Sequence, residues 1–310
     1  MRNAFGRELF ELAARHPELN LLVGDIGFGI FDQYRSEHPG RFINCGVAES
    51  NMISTAAGMA FEGKRPVVYT IIPFFVIRAL EQIRVDLCIN QLPVMLVGVG
   101  GGLAYDMLGP THHAIEDVAI MRALPGITVL TPSDPIEVKW MLAEAYHRIN
   151  GPVYLRLGKG GEPNLHDDEK KFRWATPLQM REGSEVIFVT YGPILAEVLD
   201  AADQLETRGI SCAVFCINQI KPLAVDSLLK YVVNARVVVT VEEHNILGGL
   251  GESLAGALAP HGLAVPMMML GILDRITHEV GHRAFLLDRH GINAVGILKQ
   301  VSQFLARQTR

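Results

Sequence analysis

The sequence predicts an α/β protein of two domains, each a mostly parallel sheet flanked by helices. Three observations predict it. Short apolar segments alternate with amphipathic helical ones from end to end. The apolar segments are apolar throughout instead of at every second residue, as in strands covered on both faces. The chain has 310 residues, enough for two cores.

The elements follow in order. "MRNAFGRELFELAARHPELN" opens as an amphipathic helix and has the pattern of neither a signal peptide nor a transit sequence. Strands read at "LNLLVG", "RFINCG", "RPVVYTII", "LPVMLVGV", "GITVL" and "PVYLRL". Helices lie between them, among them "FFVIRALEQIRVDLCIN" and "DPIEVKWMLAEAYHRI". The polar, Gly-rich stretch "GKGGEPNLHDDEKKFRWATP" lacks periodicity and reads as a linker. A second series follows: "SEVIFVTYG", "SCAVFCINQ", "ARVVVTVEEHN" and "AVPMMML", then the helix "INAVGILKQVSQFLARQ". The expected division is a first domain over 1–165, a linker over 166–180 and a second domain over 181–310.

Hydrophobic residues make up 49% of the chain, charged ones 20%, and the net charge is −5. No basic surplus points to nucleic acid or a membrane surface. No apolar run approaches the roughly 18 residues that span a bilayer. Four cysteines, at 45, 88, 212 and 216, sit in apolar stretches without a C-x-x-C pair. They read as buried thiols of a reducing compartment, so the expected location is cytoplasmic.

"NCGVAESNMISTAAGMAFEGKRPVVYT" (44–70) raises the sharpest question. Glu49 heads a helix otherwise rich in Ala, Gly, Met and Ile. A carboxylate in apolar surroundings is costly without a partner. "HEVGH" (278–282) fits the H-E-x-x-H zinc pattern, but Gly281 interrupts it and a turn-like segment precedes it, so no metal is expected there. "GVGGGLAYDMLGPTHH" fails as a dinucleotide fingerprint because Leu103 stands where glycine is needed. After it, Thr111 is placed to cap "HAIEDVAIMRAL", with His112 and His113 at a helix N-terminus that favours neutral imidazole. Arg156 ends a strand, at the side of a parallel sheet where ligands gather, and suits phosphate or carboxylate. Phe74 and Phe75 follow "VVYTIIP" and read first as core.

Together "GVAESNMISTAAGMAFEG", "FFVIRALEQI", "GPTHHAIED", "LTPSD", "YLRLGKG" and "VEEHNILGGLGES" resemble the transketolase superfamily of thiamine-diphosphate enzymes over essentially the whole chain. The resemblance is to the C-terminal half: the transketolase pyrimidine-binding domain and the transketolase C-terminal domain. The half that carries the diphosphate and Mg²⁺ site has no counterpart, and "GDIG" (24–27) is not its motif. The resemblance therefore implies thiamine diphosphate as cofactor, Mg²⁺ ligands on a partner N-terminal subunit, and an α₂β₂ assembly. It implies that Glu49 hydrogen-bonds N1′ of the aminopyrimidine, sharing the proton that cofactor activation needs. Glu49's partner is then the cofactor instead of a protein group, with Ala56, Ala57 and Gly58 packing closely beside it. By the same resemblance Phe75 stacks on the aminopyrimidine while Phe74 packs, Asp25 lies near the cofactor, and His112 contacts the donor sugar. Arg156 binds phosphate, and Arg78 takes a substrate position. Leu108 replaces an acidic residue common before "GPTH", and Asp106 is the nearest substitute, so donor contacts are altered. The function implied is ketol transfer from a ketose, expected to be phosphorylated, to an aldose by one half of a split transketolase. Alternatives are a 2-oxo acid dehydrogenase β subunit, a deoxyxylulose-phosphate-synthase-like enzyme, or a non-catalytic partner subunit.

Overall fold

The computed structural model describes residues 1–166, 172–263 and 265–308. Six strands come from the first half: β1 Leu19–Val23, β2 Phe42–Asn44, β3 Arg65–Ile71, β4 Met95–Val99, β5 Thr128–Leu130 and β6 Val153–Leu157. The second half adds β7 Leu178–Arg181, β8 Val186–Thr190, β9 Cys212–Cys216, β10 Gln219–Lys221, β11 Val237–Asn245 and β12 Met267–Ile272. The first sheet runs β10-β5-β6-β4-β3-β1-β2 and the second β12-β11-β8-β9-β7. Every pairing is parallel except two at sheet edges, β10 on β5 and β7 on β9. This is the two-sheet, mostly parallel architecture that the unbroken apolar strands predict. β1, β4, β6, β8 and β9 are buried at every residue.

Two boundaries differ from the sequence reading. β7 begins at Leu178, inside the stretch expected to be linker, and Trp174 and Phe172 pack on Trp140 of the first domain, with ring centroids 6.2 and 5.0 Å away. Residues 167–171 of that stretch lie outside the described residues. "SCAVFCINQ" is not one strand: it ends at Cys216, and the chain crosses to pair β10 with the first sheet. The two domains thus share a sheet edge and one buried apolar cluster. That cluster runs from Met52 and Phe75 through Met121 and Val129 to Ile187 and Phe215.

The helix Pro135–Arg148 starts as its sequence dictates. Pro135 takes the first turn, where its missing N–H is no loss, and the Asp134 carboxylate accepts from Glu137 N at 2.7 Å. "FFVIRALEQIRVDLCIN" is not one helix. A short helix Ile72–Val76 and a turn precede Leu80–Gln82, which runs into a π-helical turn, Ile83–Cys88. The break at residues 77–79 turns Arg78 back toward Glu49. Among the described residues, no helix is long and apolar enough to cross a membrane.

Candidate active site

The site lies along the carboxyl ends of the first sheet's strands, where parallel sheets place ligands. Asp25 follows β1 in a left-handed conformation, φ 55°. Asn44, ending β2, fixes that turn: its Nδ2 donates to Asp25 Oδ1 at 2.9 Å, and its Oδ1 accepts from Asp25 N at 3.2 Å and Gly46 N at 2.9 Å. Gly46, with φ 68°, reverses the chain into the helix Glu49–Phe61. Glu49 therefore sits in the first helical turn, where backbone N–H groups favour a carboxylate. It is 1% exposed, and its partner is Arg78, whose Nη1 donates to Oε2 at 2.5 Å. The expected absence of a protein partner is thus corrected: in this structure Arg78 holds Glu49. The Arg78 side chain is itself 53% exposed. Ala56 and Ala57 are buried on this helix as expected, whereas Gly58 is exposed and faces open space.

The two phenylalanines differ in burial. Phe75 is fully buried against Tyr154, ring centroids 5.9 Å apart, and belongs to the core. Phe74 is only partly buried and faces the rim. The Arg78 guanidinium lies 5.8 Å from its centroid and the His112 ring 5.0 Å. His112 also meets Tyr105 at 5.9 Å. Lys159 Nζ lies 5.3 Å from the Tyr105 ring and 3.7 Å from Asp106 Oδ1. A continuous line of contacts therefore joins Glu49, Arg78, Phe74, His112, Tyr105, Lys159 and Asp106.

Thr111 does not cap the following helix. That helix begins at Asp117, and Thr111 Oγ1 lies 3.0 Å from His112 Nδ1 instead. The segment 109–116 is held by the single-residue bridges of Gly101 and Gly102 to Ala114, which replace the expected first helical turn. Partial burial, and then His113 beside it, push the His112 pKa down, so its ring is neutral at neutral pH. His113 is buried, with Nε2 3.2 Å from Asp106 O.

Arg156 is not available to a ligand. It is 4% exposed; Nε donates to Asp117 Oδ2 at 2.8 Å, and Nη2 donates to Asp117 Oδ1, Ala114 O and Glu243 O at 3.0–3.3 Å. Tyr154 Oη donates to Asp117 Oδ2 at 2.6 Å. Burial opposes the guanidinium's charge, but Asp117 outweighs it and pushes the pKa up. The strand-end position was read correctly and the partner was not: Asp117 lies on the next helix, and nothing in sequence spacing ties it to Arg156. A cation that does face open space is Lys159, three residues on. With Arg2, Asp106 and Arg283 it lines a cleft of about 650 Å³ at the mouth between the two domains. Arg283 is anchored there by Glu243, its Nη2 donating to Oε2 at 2.5 Å.

Asp117, Tyr154, Lys159 and Glu243 were missed as site or seam residues. The adjacent acids in "VEEHN" on a buried strand were a usable signal for the seam. Glu242 accepts from Leu250 N and Gly251 N at 2.7 and 3.1 Å at the start of a helix, and burial pushes its pKa up to about 7. His244, deeply buried beside it, is pushed down to about 4. "HEVGH" lies in irregular backbone, so its histidines do not share a helix face. His282 is highly exposed, 4.0 Å from Asp106. All four cysteines are free; Cys88, Cys212 and Cys216 are buried as expected, and Cys45 only partly.

Residues 1–162 match the family model "Transketolase, pyrimidine binding domain", and residues 177–297 match "Transketolase, C-terminal domain". An apulose-4-phosphate transketolase subunit of Actinobacillus succinogenes is 35% identical, over 84% of this chain and 84% of its own. The 1-deoxy-D-xylulose-5-phosphate synthase of a Synechococcus strain is 34% identical over 98% of this chain, which spans 47% of that longer enzyme. A solved split-gene transketolase, described as an inactive β4 tetramer, superposes with a TM-score of 0.85 at 32% identity, covering 97% of this chain and 96% of that one. Two sheets in this order, a buried carboxyl heading the helix after β2, and family models matched by both halves lead to one conclusion: the chain belongs to the transketolase family, in the part made of the pyrimidine-binding and C-terminal domains.

Proposed function

We propose that this chain is the C-terminal subunit of a split transketolase and that, with a partner chain holding the diphosphate and Mg²⁺, it transfers a two-carbon ketol unit from a phosphorylated ketose to an aldose. The observation that carries this is Glu49: a carboxyl buried at a helix start whose side-chain partner among the described residues, Arg78, is half-exposed. A buried carboxyl with a replaceable partner fits a nitrogen heterocycle. Phe74 offers that ring a flat neighbour. Thiamine diphosphate, when bound, supplies the carbon nucleophile that takes up and releases the two-carbon unit.

The chain's own residues do the rest. Glu49 holds a proton at N1′ of the aminopyrimidine, and Arg78 leaves Glu49 when that nitrogen arrives. Asp25, fixed by Asn44, marks the other side of the rim. His112, neutral, orients the donor's carbonyl or a hydroxyl beside it. Asp106 receives sugar hydroxyls in the cleft, and Lys159 takes the anionic end, the role the sequence reading gave Arg156. The exposed apolar residues Val47, Ile77 and Phe28 stand close in sequence to Glu49, Arg78 and Asp25. They support a second chain closing the site against water. The test is reconstitution. The chain alone should turn nothing over, and activity should appear with a partner subunit and a phosphorylated ketose. Robust turnover by the chain alone contradicts the reading.

A further inference from the structure

Away from the rim, where the two domains and the segment between them meet, the buried Nε2 of His166 has no hydrogen-bond partner among the described residues, and Glu137 Oε1 is turned inward with the Asn218 amide beside it. Buried polar groups are nearly always paired. A carboxylate oxygen of Glu137, a ring nitrogen of His166 and the Cys216 thiol lie within 4.8 Å of one another, and all three residues are buried. We propose that Glu137, His166 and Cys216 form a structural site for a zinc-class divalent cation that ties the first domain, the connecting segment and the second domain together.

Each side chain is aimed by its element. Glu137 lies in the first turn of the helix Pro135–Arg148. Its Oε2 is used by Ser133 N at 2.7 Å, which leaves Oε1 turned inward. Asp134, the cap of that helix, accepts from Leu165 N at 2.7 Å and His166 N at 2.8 Å. Those two bonds fix the backbone of His166. Asp134 Oδ2 also sits 2.9 Å from His166 Nδ1. A carboxylate beside Nδ1 favours the tautomer protonated there, which leaves the Nε2 lone pair free. Such a carboxylate behind a metal-binding histidine is the usual second support of zinc sites. Cys216 ends β9, its Sγ 2.8 Å from Ser133 Oγ. One carboxylate, one imidazole and one thiol suit Zn²⁺ and suit Mg²⁺ or Ca²⁺ poorly. Binding releases the thiol proton of Cys216 to solvent, and Ser133 Oγ or a water completes the coordination.

The site is independent of "HEVGH", and metal analysis separates the two. The purified full-length chain should hold stoichiometric zinc that survives His278→Ala with His282→Ala. Cys216→Ser and His166→Gln should each lose it. Co²⁺ added to the metal-stripped wild-type chain should give a near-ultraviolet thiolate-to-cobalt charge-transfer band and raise the midpoint of thermal unfolding. That arm needs no variant to fold. The proposal is overturned if the stripped wild-type chain gives no such band, if the band persists in Cys216→Ser, or if the zinc follows His278 and His282.

Discussion

Two arginine–carboxylate pairs, Arg78–Glu49 and Arg156–Asp117, stand at the carboxyl ends of the same sheet and do opposite things. In the second pair both partners are buried, and Arg156 also bonds two backbone carbonyls, one from each half of the chain. In the first pair only the carboxylate is buried, and its arginine is half in solvent. A closed pair is scaffold, because removing one partner strands a buried charge. A pair with one end open is a place where another group can enter. The comparison teaches that the type of residue at a strand end does not identify the ligand site; the partner's exposure does.

The largest effect should come from the closed pair. Arg156→Ala should lower stability by about 3–5 kcal/mol in denaturant unfolding, because Asp117 is left buried and unpaired. If it instead raises KM for a phosphorylated sugar and leaves stability intact, the two pairs have been assigned the wrong way round. Phe75→Ala should cost about 3–5 kcal/mol as a core cavity, whereas Phe74→Ala should leave stability nearly unchanged and weaken thiamine diphosphate binding in the assembled enzyme. Equal losses of stability from the two would erase the distinction between core and rim.

Next in size is the response of the seam to pH. His244 is held near 4 when folded and has an ordinary value of about 6.5 when unfolded. Its unfolded form binds the proton more readily, so this contribution is whole above about pH 6.5 and is lost as pH falls toward 4. Glu242, raised to about 7, acts oppositely: ionising it in place grows more costly as pH rises from its ordinary value near 4.3 toward 7. His244→Gln should remove the acid-side loss in a series of thermal melts, and Glu242→Gln the loss on the rising side. Profiles of both variants that match the wild type would show that the seam does not titrate. Lys159→Ala should raise KM for a phosphorylated ketose about tenfold or more, with little change for an uncharged analogue. The smallest effect belongs to the open pair. Arg78→Ala also leaves Glu49 buried without its partner, but it removes one hydrogen bond from a half-exposed guanidinium where Arg156→Ala removes four from a buried one, so its loss of stability should be the smaller of the two. A loss as large as that of Arg156→Ala would make it scaffold too.

The strands and both sheets were legible because burial on two faces leaves unbroken apolar runs. Glu49 was legible because a carboxylate among Ala, Met and Ile has no bland explanation. Arg78's hold on Glu49 was not legible, since it depends on a break in what reads as one continuous helix. The difference in burial between Phe74 and Phe75 turns on the phase of that same short helix, which five residues do not define. Arg156 was misread because Asp117 meets it only in three dimensions. The edge strand Gln219–Lys221 escaped notice because three residues carry no periodicity.

Glu49→Gln tests the central claim most directly. The glutamine keeps the size and can keep a contact with Arg78, but it cannot share a proton at N1′. Measured in the complex reconstituted with a partner subunit, the variant should assemble normally and lose on the order of 10²-fold or more in turnover, as expected for an acid–base group. Near-normal turnover in a properly assembled complex would contradict the account.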